Sequence, residues 1–511
     1  MNKKDILILG AGPAGMTAAY ELANSGIKSS IIEKEERVGG FGKTLVFKEG
    51  NLVFKTDIGP HRFFSQNKFL YDFIESLLHE KWKLVNRQTR QFIGGKFYDY
   101  PINATQALKN LGIIKDIGVA TSYFSSFVTY HIFRKKIKNF EDYILANFGR
   151  VLGELNMLNY TEKIWGIPCS TIHSDWAKQR IKGLNLISAV KNAIFKGKSE
   201  EGPKTLIDSF YYPDEGTGLI YDAIASNVKK KGTKIYTRSY PTKIKHRENR
   251  IKEVELLING KKKIVKPEIL VESIPITDFV SLLEPKAPKD VLDALNKLKW
   301  RSQVYLFITL DKERVTKDNW IYFPDKEIPF GRMMEPKNFS AKLVPKGKTS
   351  LFVEFFVFEN DKVWNLSKDE LFELTIKQLE KLGFIKRKDV RSYYLIKRKN
   401  VYPVYDLEYH KYLDKVRNYL NKFSNLYYIG RAGRFKYNNQ DHSLEMGFLA
   451  ARSIIENKKY SIEKTASEQE YFEKGVIKEI GANPMERQSY IWMILEDRGD
   501  EEDGEKNEKK N

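Results

Sequence analysis

An α/β fold built on a discontinuous parallel sheet is what three features of this 511-residue chain predict. Residues 5–44 read as strand, glycine turn, helix and strand. Residues 206–278 come back to helix and strand after a long stretch of helical pattern. Asn425-Leu-Tyr-Tyr-Ile-Gly430 is an apolar run that ends in glycine and feeds a last helix. Short apolar runs joined through helices pair in parallel, so sequence from the start, the middle and 430–451 should meet in one unit.

The first segment carries the strongest pattern. Ile6–Leu9 is an apolar strand, and Gly10 makes the tight turn after it. Gly12 lets backbone approach a pyrophosphate, and Gly15 lets the helix pack closely on the sheet. Pro13 and Ala14 open that helix, whose free N–H groups and positive dipole end favour phosphate oxygens. Glu33, followed by Lys34, closes the strand Ser29–Ile32 eighteen residues after Gly15, where a carboxylate takes ribose hydroxyls. Arg37-Val-Gly39-Gly40-Phe41-Gly-Lys-Thr44 is a second glycine loop. It resembles the RxGGxxx(S/T) extension of FAD enzymes of the glutathione-reductase type and brings further backbone N–H groups to the same pyrophosphate. The expectation is a Rossmann-like FAD-binding domain of that type, with FAD as cofactor.

That domain is expected in three parts, 1–95, 206–278 and 425–458. Leu45–Gly59 alternates as a β-ribbon with Glu49-Gly50-Asn51 at its turn. Gln66 to about Phe195 is mainly helical in pattern and supplies an inserted helical domain, 96–205, in which Lys196–Lys204 is a polar linker. Tyr212–Gly218 is a glycine loop opening the helix Leu219–Val228, followed by the strands KIYTRS and EVELLI and one more within Ile264–Pro275. Val304–Leu310, Leu351–Phe358 and Val390–Ile396 form an antiparallel β substrate domain, 279–424. A last helix lies near Ser443–Glu456. The extension 459–511 ends in a charge-dense tail from Leu495, expected to be disordered.

Bulk properties suit a cytoplasmic flavoprotein. One cysteine, Cys169, excludes an intrachain disulfide and points to a reducing compartment, and the start MNKKDILILG leaves no room for a cleaved signal. The net charge of +21 comes from scattered lysines without a nucleic-acid motif; it reads first as a solvated lysine-rich face, and it also suits anionic ligands such as pyrophosphates or an acidic membrane surface. Ile117–Phe133 lacks Asp, Glu, Lys and Arg but is too short and too polar to span a bilayer. It reads as a buried or interfacial helix, with peripheral contact at the inner membrane face as the second reading. Oligomeric state is open.

Several further blocks, in order along residues 5–451, resemble UDP-galactopyranose mutase and its relatives among the amine-oxidase and protoporphyrinogen-oxidase-like flavoproteins. Gly59-Pro-His61-Arg-Phe-Phe-Ser65 is similar to the mutase loop GAHIFHT, and Phe97–Asn103 to its FNLPFN. Tyr160-Thr-Glu-Lys-Ile-Trp165-Gly166 nearly reproduces YTEKQWG. Gln179-Arg180-Ile181 resembles KRI, Trp300-Arg301-Ser302 resembles YRS, and Pro329–Lys337 resembles PYTRIIEHK. Val401-Tyr402-Pro-Val404 is similar to YYPV, and Gly430-Arg431-Ala-Gly433 with Tyr437 and Asp441 to GRLG…Y…D.

The resemblance implies isomerisation of a nucleotide-linked sugar through reduced flavin N5, with no net redox change. Arg180 and Arg301 would hold the diphosphate, helped by Tyr402; Trp165 would wall the sugar pocket. His61 and Gly59 would lie against the flavin, and Gly430, Arg431 and Asp441 would contact FAD. The chain departs from the family at Phe330, where a tyrosine donor to the substrate phosphate is expected, and at Phe64 and Pro336, which replace histidines. These departures keep a second function open: an oxidoreductase taking hydride from an amine or an apolar substrate. A flavin-binding protein without catalysis is the third.

Overall fold

The computed structural model describes residues 5–65, 67–100, 113–174, 176, 209–463 and 465. Five parallel strands form the expected sheet, in the order Leu426–Tyr428, Ile269–Glu272, Ile6–Leu9, Ser29–Ile32, Lys234–Tyr236. Ile6 registers with Ile269 on one side and Ser29 on the other, so distant segments join through one strand. Both faces of this sheet are covered, which is why its central strands Ile6–Leu9 and Ile269–Glu272 are mostly apolar. Leu7, Leu9 and Leu270 enter one core, while Ile6, Ile8, Ile31 and Val271 enter a second core with Ala14, Ala18 and Leu22 of the helix Pro13–Asn24. Strand alternation alone separates the two sets.

The Pro13–Asn24 helix is clamped from outside by the helix Gln440–Glu456. The Thr17 hydroxyl lies 2.9 Å from the Leu444 carbonyl oxygen, and a Cβ on Gly447 would fall 2.1 Å from Thr17 Oγ1. Only glycine permits that approach.

The β-ribbon forms as expected, Thr44–Glu49 pairing with Leu52–Asp57. Its last residue, Asp57, is buried and gathers donors from three other elements. Thr44 Oγ1 donates to it at 2.6 Å, Tyr212 Oη at 2.6 Å, and Thr217 through its amide (3.1 Å) and its hydroxyl (2.7 Å). Burial raises the Asp57 pKa, and these donors act against that rise.

The substrate sheet has seven strands, in the order Val390–Pro403, Trp300–Leu310, Thr349–Val357, Arg332–Met334, Trp320–Tyr322, Thr89–Ile93, Lys96–Asp99. Several expectations are corrected here. The stretch from Gln66 is less helical than its pattern implies: Trp82–Asn86 pairs with Ser209–Pro213, and the hairpin Thr89–Asp99 completes the substrate sheet. The boundary drawn at residue 95 cuts that hairpin. The hairpin joins through a parallel pairing, Thr89 with Trp320, so the sheet is mixed and not wholly antiparallel. The run Ile264–Pro275 is also two strands. Lys261–Val265 closes a separate four-stranded sheet and Ile269–Glu272 enters the parallel one, with Pro267 breaking the ladder between them.

Of the inserted region, the helices Ile113–Phe127, Phe140–Leu152 and Asn159–Trp165 are described. Arg180, the linker 196–204 and the tail from 495 lie outside the described residues. Cys169 is free and buried, and burial pushes its thiol pKa up, consistent with a small core residue. No described helix is long and apolar enough to cross a membrane.

Lys163 ties the Asn159–Trp165 helix to the substrate sheet. Its ammonium is ringed by the carbonyl oxygens of Phe323 (2.6 Å), Asp325 (2.5 Å), Ile328 (2.9 Å) and Phe330 (3.3 Å). Replacing it by methionine keeps the stem and strips these oxygens of their donor. Lys163→Met should cost about 2 kcal/mol of stability, read as a lower Tm; an unchanged Tm would show the 323–330 loop holds itself.

Candidate active site: a flavin cradle beside an aromatic cage

The glycines of the first loop separate by what each one faces. Gly10 has φ 95°, and a Cβ on Gly15 would lie 2.1 Å from the Gly10 carbonyl oxygen, so packing inside the chain accounts for both. Gly12 differs. It sits in ordinary extended backbone (φ −74°, ψ −179°) at the helix N-terminus with no side-chain cap, and a Cβ there would meet nothing nearer than Gly40 Cα at 4.0 Å. Nothing within the chain demands glycine at 12. The space it leaves faces the unpaired N–H groups of the first helical turn, where a pyrophosphate belongs.

The other predicted contacts gather around this point. The Gly39 amide donates to the Ala11 carbonyl at 2.7 Å, which sets the second glycine loop against the first. Gly430 (φ 77°) comes close enough that a Cβ would lie 3.1 Å from Ala14 Cβ, so the third segment joins as expected. The Glu33 carboxylate accepts from the amides of Ala11 (2.8 Å) and Glu35 (2.9 Å), which fixes its place at the end of the second strand. Tyr221 packs under Gly39 and Gly42 and donates to Gln440 Oε1 at 2.5 Å, beside the buried Asp441. The residues present therefore fit FAD.

Other residues of the motif take different places. Lys34 and Arg37 are exposed, and Arg37 pairs with Asp222 at 3.0 Å. Phe41 packs on the cluster that includes Phe54 and Phe210. The Thr44 hydroxyl donates to Asp57 and accepts from the Gly218 amide at 2.9 Å, so it is already engaged within the chain.

Beyond the cradle lies an aromatic cage. Tyr402 stacks with Tyr437 at 5.5 Å and with Phe356 at 6.3 Å, and Trp165 stands edge-on to Tyr402 at 6.2 Å. Trp176 and Tyr405 back Trp165 at 4.6 and 6.3 Å. The Arg431 guanidinium lies over the rings of Tyr402 (5.3 Å) and Tyr437 (5.0 Å), held by the carbonyl of Asn438. Arg332 makes a bidentate pair with Glu354, both contacts 2.7 Å, in the same neighbourhood. Tyr160 Oη and Trp165 Nε1 are buried without a hydrogen-bond partner among the described residues, which suits groups that meet a ligand or water.

His61 is neutral here. Its Nε2 lies 2.8 Å from the Ile58 carbonyl, which can only accept, so Nε2 carries the proton. Burial, with the guanidiniums of Arg431 and Arg332 nearby, lowers its pKa from 6.5 to about 4.

Two residues assigned to the substrate, Arg301 and Phe330, are engaged inside the chain. Arg301 is buried and directed into the protein: Nε donates to the Ile164 carbonyl (2.9 Å), Nη2 to that of Phe356 (2.7 Å), and Nη1 lies 3.4 Å from Asp361. It locks the end of the Trp165 helix onto the sheet, and burial draws its pKa down to about 10. Phe330 is fully buried between Phe323 and Phe355, and its ring packs in the core of the substrate sheet. Sequence reasoning assigned no role to Asp57, Lys163, Arg332 or Glu354. Glu354 had a usable signal, since a single acid inside the apolar strand LFVEFFV needs a buried cation.

Residues 13–455 match the profile of the flavin-containing amine oxidoreductases. The chain belongs to that family. As a family member it uses FAD, in agreement with the cradle. Two curated relatives are similar over part of their length. One is named probable UDP-galactopyranose mutase, from Klebsiella pneumoniae, at 25% identity over 41% of this chain and 53% of that protein. The other is UDP-galactopyranose mutase of Mycoplasma genitalium, at 27% identity over 47% of this chain and 51% of that protein. The chain thus matches about half the length of each. Among solved structures, reduced UDP-galactopyranose mutase superposes with a TM-score of 0.76 at 21% identity, covering 91% of this chain and 96% of the other. That likeness concerns the fold.

The two glycine roles are separable by experiment. Gly15→Ala should destabilise the apoprotein, whereas Gly12→Ala should leave apoprotein Tm within a few degrees and weaken FAD binding at least about tenfold, since backbone–pyrophosphate approach is lost. Equal FAD affinity in Gly12→Ala and the parent would remove Gly12 from the cofactor site. His61 gives a pH signature. Its folded pKa of about 4 is below the unfolded 6.5, so the unfolded chain binds more protons in that window and stability falls as pH falls through it. The loss should approach about 3 kcal/mol, and unfolding of His61→Gln apoprotein should lack that component.

Proposed function

We propose that this flavoenzyme isomerises a nucleotide-linked sugar, with FAD supplying a nucleophilic nitrogen in its reduced form when bound. The observation that carries this reading is the charge of the cage. The guanidiniums of Arg431 and Arg332 converge near Tyr402, and the acid among them, Glu354, is already paired by Arg332. Such a pocket favours an anionic substrate over a protonated amine. Tyr160 and Trp165 offer unpaired N–H and O–H donors where a leaving diphosphate or a sugar hydroxyl needs them. Trp165, Tyr402 and Tyr437 supply flat apolar walls of the kind on which sugar rings rest. Neutral His61 keeps an additional cation away from the flavin face. The similarity to the two mutases supports the same reading.

A second reading rests on the internal engagement of Arg301 and Phe330. Arg301 is committed to carbonyls and Phe330 is core, so fewer donors face a diphosphate than the resemblance implies. That favours an oxidoreductase, the reaction for which the family is named, acting on a C–H next to nitrogen or on an apolar ring.

One assay separates the two. A mutase should turn over UDP-sugars only after dithionite reduction and without oxygen uptake; an oxidase should lose its yellow colour on substrate addition and produce peroxide in air. Peroxide formation with an amine, together with no spectral response to UDP-sugars, would sink the mutase reading. Tyr160→Phe tests the pocket itself. Its hydroxyl has no described partner to lose, so Tm should hold, while UDP affinity should fall about fivefold, the loss of one hydrogen bond of about 1 kcal/mol. Unchanged UDP affinity places the nucleotide elsewhere.

A further inference from the structure

The helix Ile113–Phe127 continues as a wider π-turn over Val128–Ile132, and one side of it is firmly packed. Ser122 Oγ accepts from the amides of Arg150 (2.8 Å) and Val151 (3.2 Å) on the neighbouring helix. Gly149 presses so closely that a Cβ would fall 2.8 Å from Tyr123 Cα. Val119 and Tyr130 are buried with this side.

The other side carries large apolar side chains in the open. Phe124 is 68% exposed, Ile132 59%, Phe133 77% and Ile137 46%. Elsewhere among the described residues, exposed large hydrophobics are spread thinly over several elements. Isolated exposed apolar residues need no explanation, but a cluster does. Arg134, Lys135, Lys136 and Lys138 alternate with this one in a wholly exposed run, 131–138. Lys135 is drawn back to Asp142 at 3.0 Å, which leaves the other three cations beside the apolar residues. No Asp or Glu occurs from Ile117 to Phe140.

We infer that this patch docks the protein on an anionic lipid bilayer. The apolar side chains enter the boundary between headgroups and acyl chains, while the guanidinium and ammonium groups meet lipid phosphates. Charge complementarity selects this occupant: with Asp142 taken up by Lys135, the remaining cations Arg134, Lys136 and Lys138 repel basic protein surfaces and attract a phosphate-covered plane. The net charge of +21 adds attraction from a distance. The helix cannot span, so it lies in the plane. Tyr130 and Phe140 of this region share one hydrophobic cluster with Trp165, so the docked face belongs to the same packed unit as the cage wall. The docking does not depend on which reaction the cage performs.

The test uses the FAD-loaded full chain and vesicle co-sedimentation. Vesicles of phosphatidylcholine mixed with phosphatidylglycerol should capture the protein, vesicles of phosphatidylcholine alone should not, and added salt should release it. Lys136→Glu should weaken partitioning at least about fivefold, the contribution expected of one cation near an anionic surface. Phe133→Ser should weaken it comparably while flavin content and Tm hold, because the residue is exposed. No capture by anionic vesicles, equal capture by neutral ones, or capture indifferent to both variants would overturn the inference. So would concentration-dependent self-association that Phe133→Ser abolishes without vesicle binding, since the patch would then be an interface between copies.

Discussion

The burial of Asp57 is the constraint on which the site depends. One carboxylate at the end of the β-ribbon receives Thr44 from the second glycine loop, Tyr212 from the strand that pairs with Trp82–Asn86, and Thr217 from the start of the following helix. Thr217 Oγ1 also lies 2.9 Å from the His61 carbonyl, on the loop proposed to face the flavin. Desolvating such a group is costly unless its oxygens are filled, and here four hydrogen bonds fill them. Those bonds can form only when the β-ribbon, the returning strand and the start of the following helix are all in place. A buried acid that needs all of these partners therefore ties the β-ribbon, the returning strand and the following helix into one unit.

The cage follows a related logic. Its cations are not free charges awaiting a ligand. Arg332 is neutralised by Glu354, Arg431 is braced by carbonyls and two tyrosine rings, and Arg301 is turned inward to hold the Trp165 helix. Buried cations need such partners, since an unpaired one would lose more in desolvation than a ligand returns. The result is a set of fixed side chains with positive character and modest net charge. Its remaining hydrogen-bonding capacity rests with neutral groups, Tyr160 Oη and Trp165 Nε1. Orientation inside it comes more from aromatic walls and hydroxyls than from ion pairing.

Much of this was legible in the chain. The glycine turn, Glu33, the second glycine loop, the β-ribbon and the strand before Gly430 are local patterns in which spacing dictates conformation, and they stand where expected. The short strand Trp82–Asn86 escaped because a five-residue run flanked by helical pattern is stabilised only by a partner more than a hundred residues away, and the hairpin Thr89–Asp99 gains its place in the substrate sheet only through the distant Trp320 strand. The internal engagement of Phe330 and Arg301 was not legible, for another reason. A motif specifies which residue follows which, but the direction of a side chain depends on the neighbours that surround it. Lys163 draws in the carbonyls of the loop before Phe330, and Gly166 leaves room for the Arg301 guanidinium at the end of the helix.

By itself, the sequence determined the cofactor and the topology of the unit that binds it. A pyrophosphate needs backbone amides at a close approach, and only glycine at set intervals after a strand provides them. Tertiary structure decided which cations stay available, which hydroxyls are already taken and which apolar residues remain outside. Those outcomes depend on desolvation and on distant partners meeting. Neither quantity is carried by residue order.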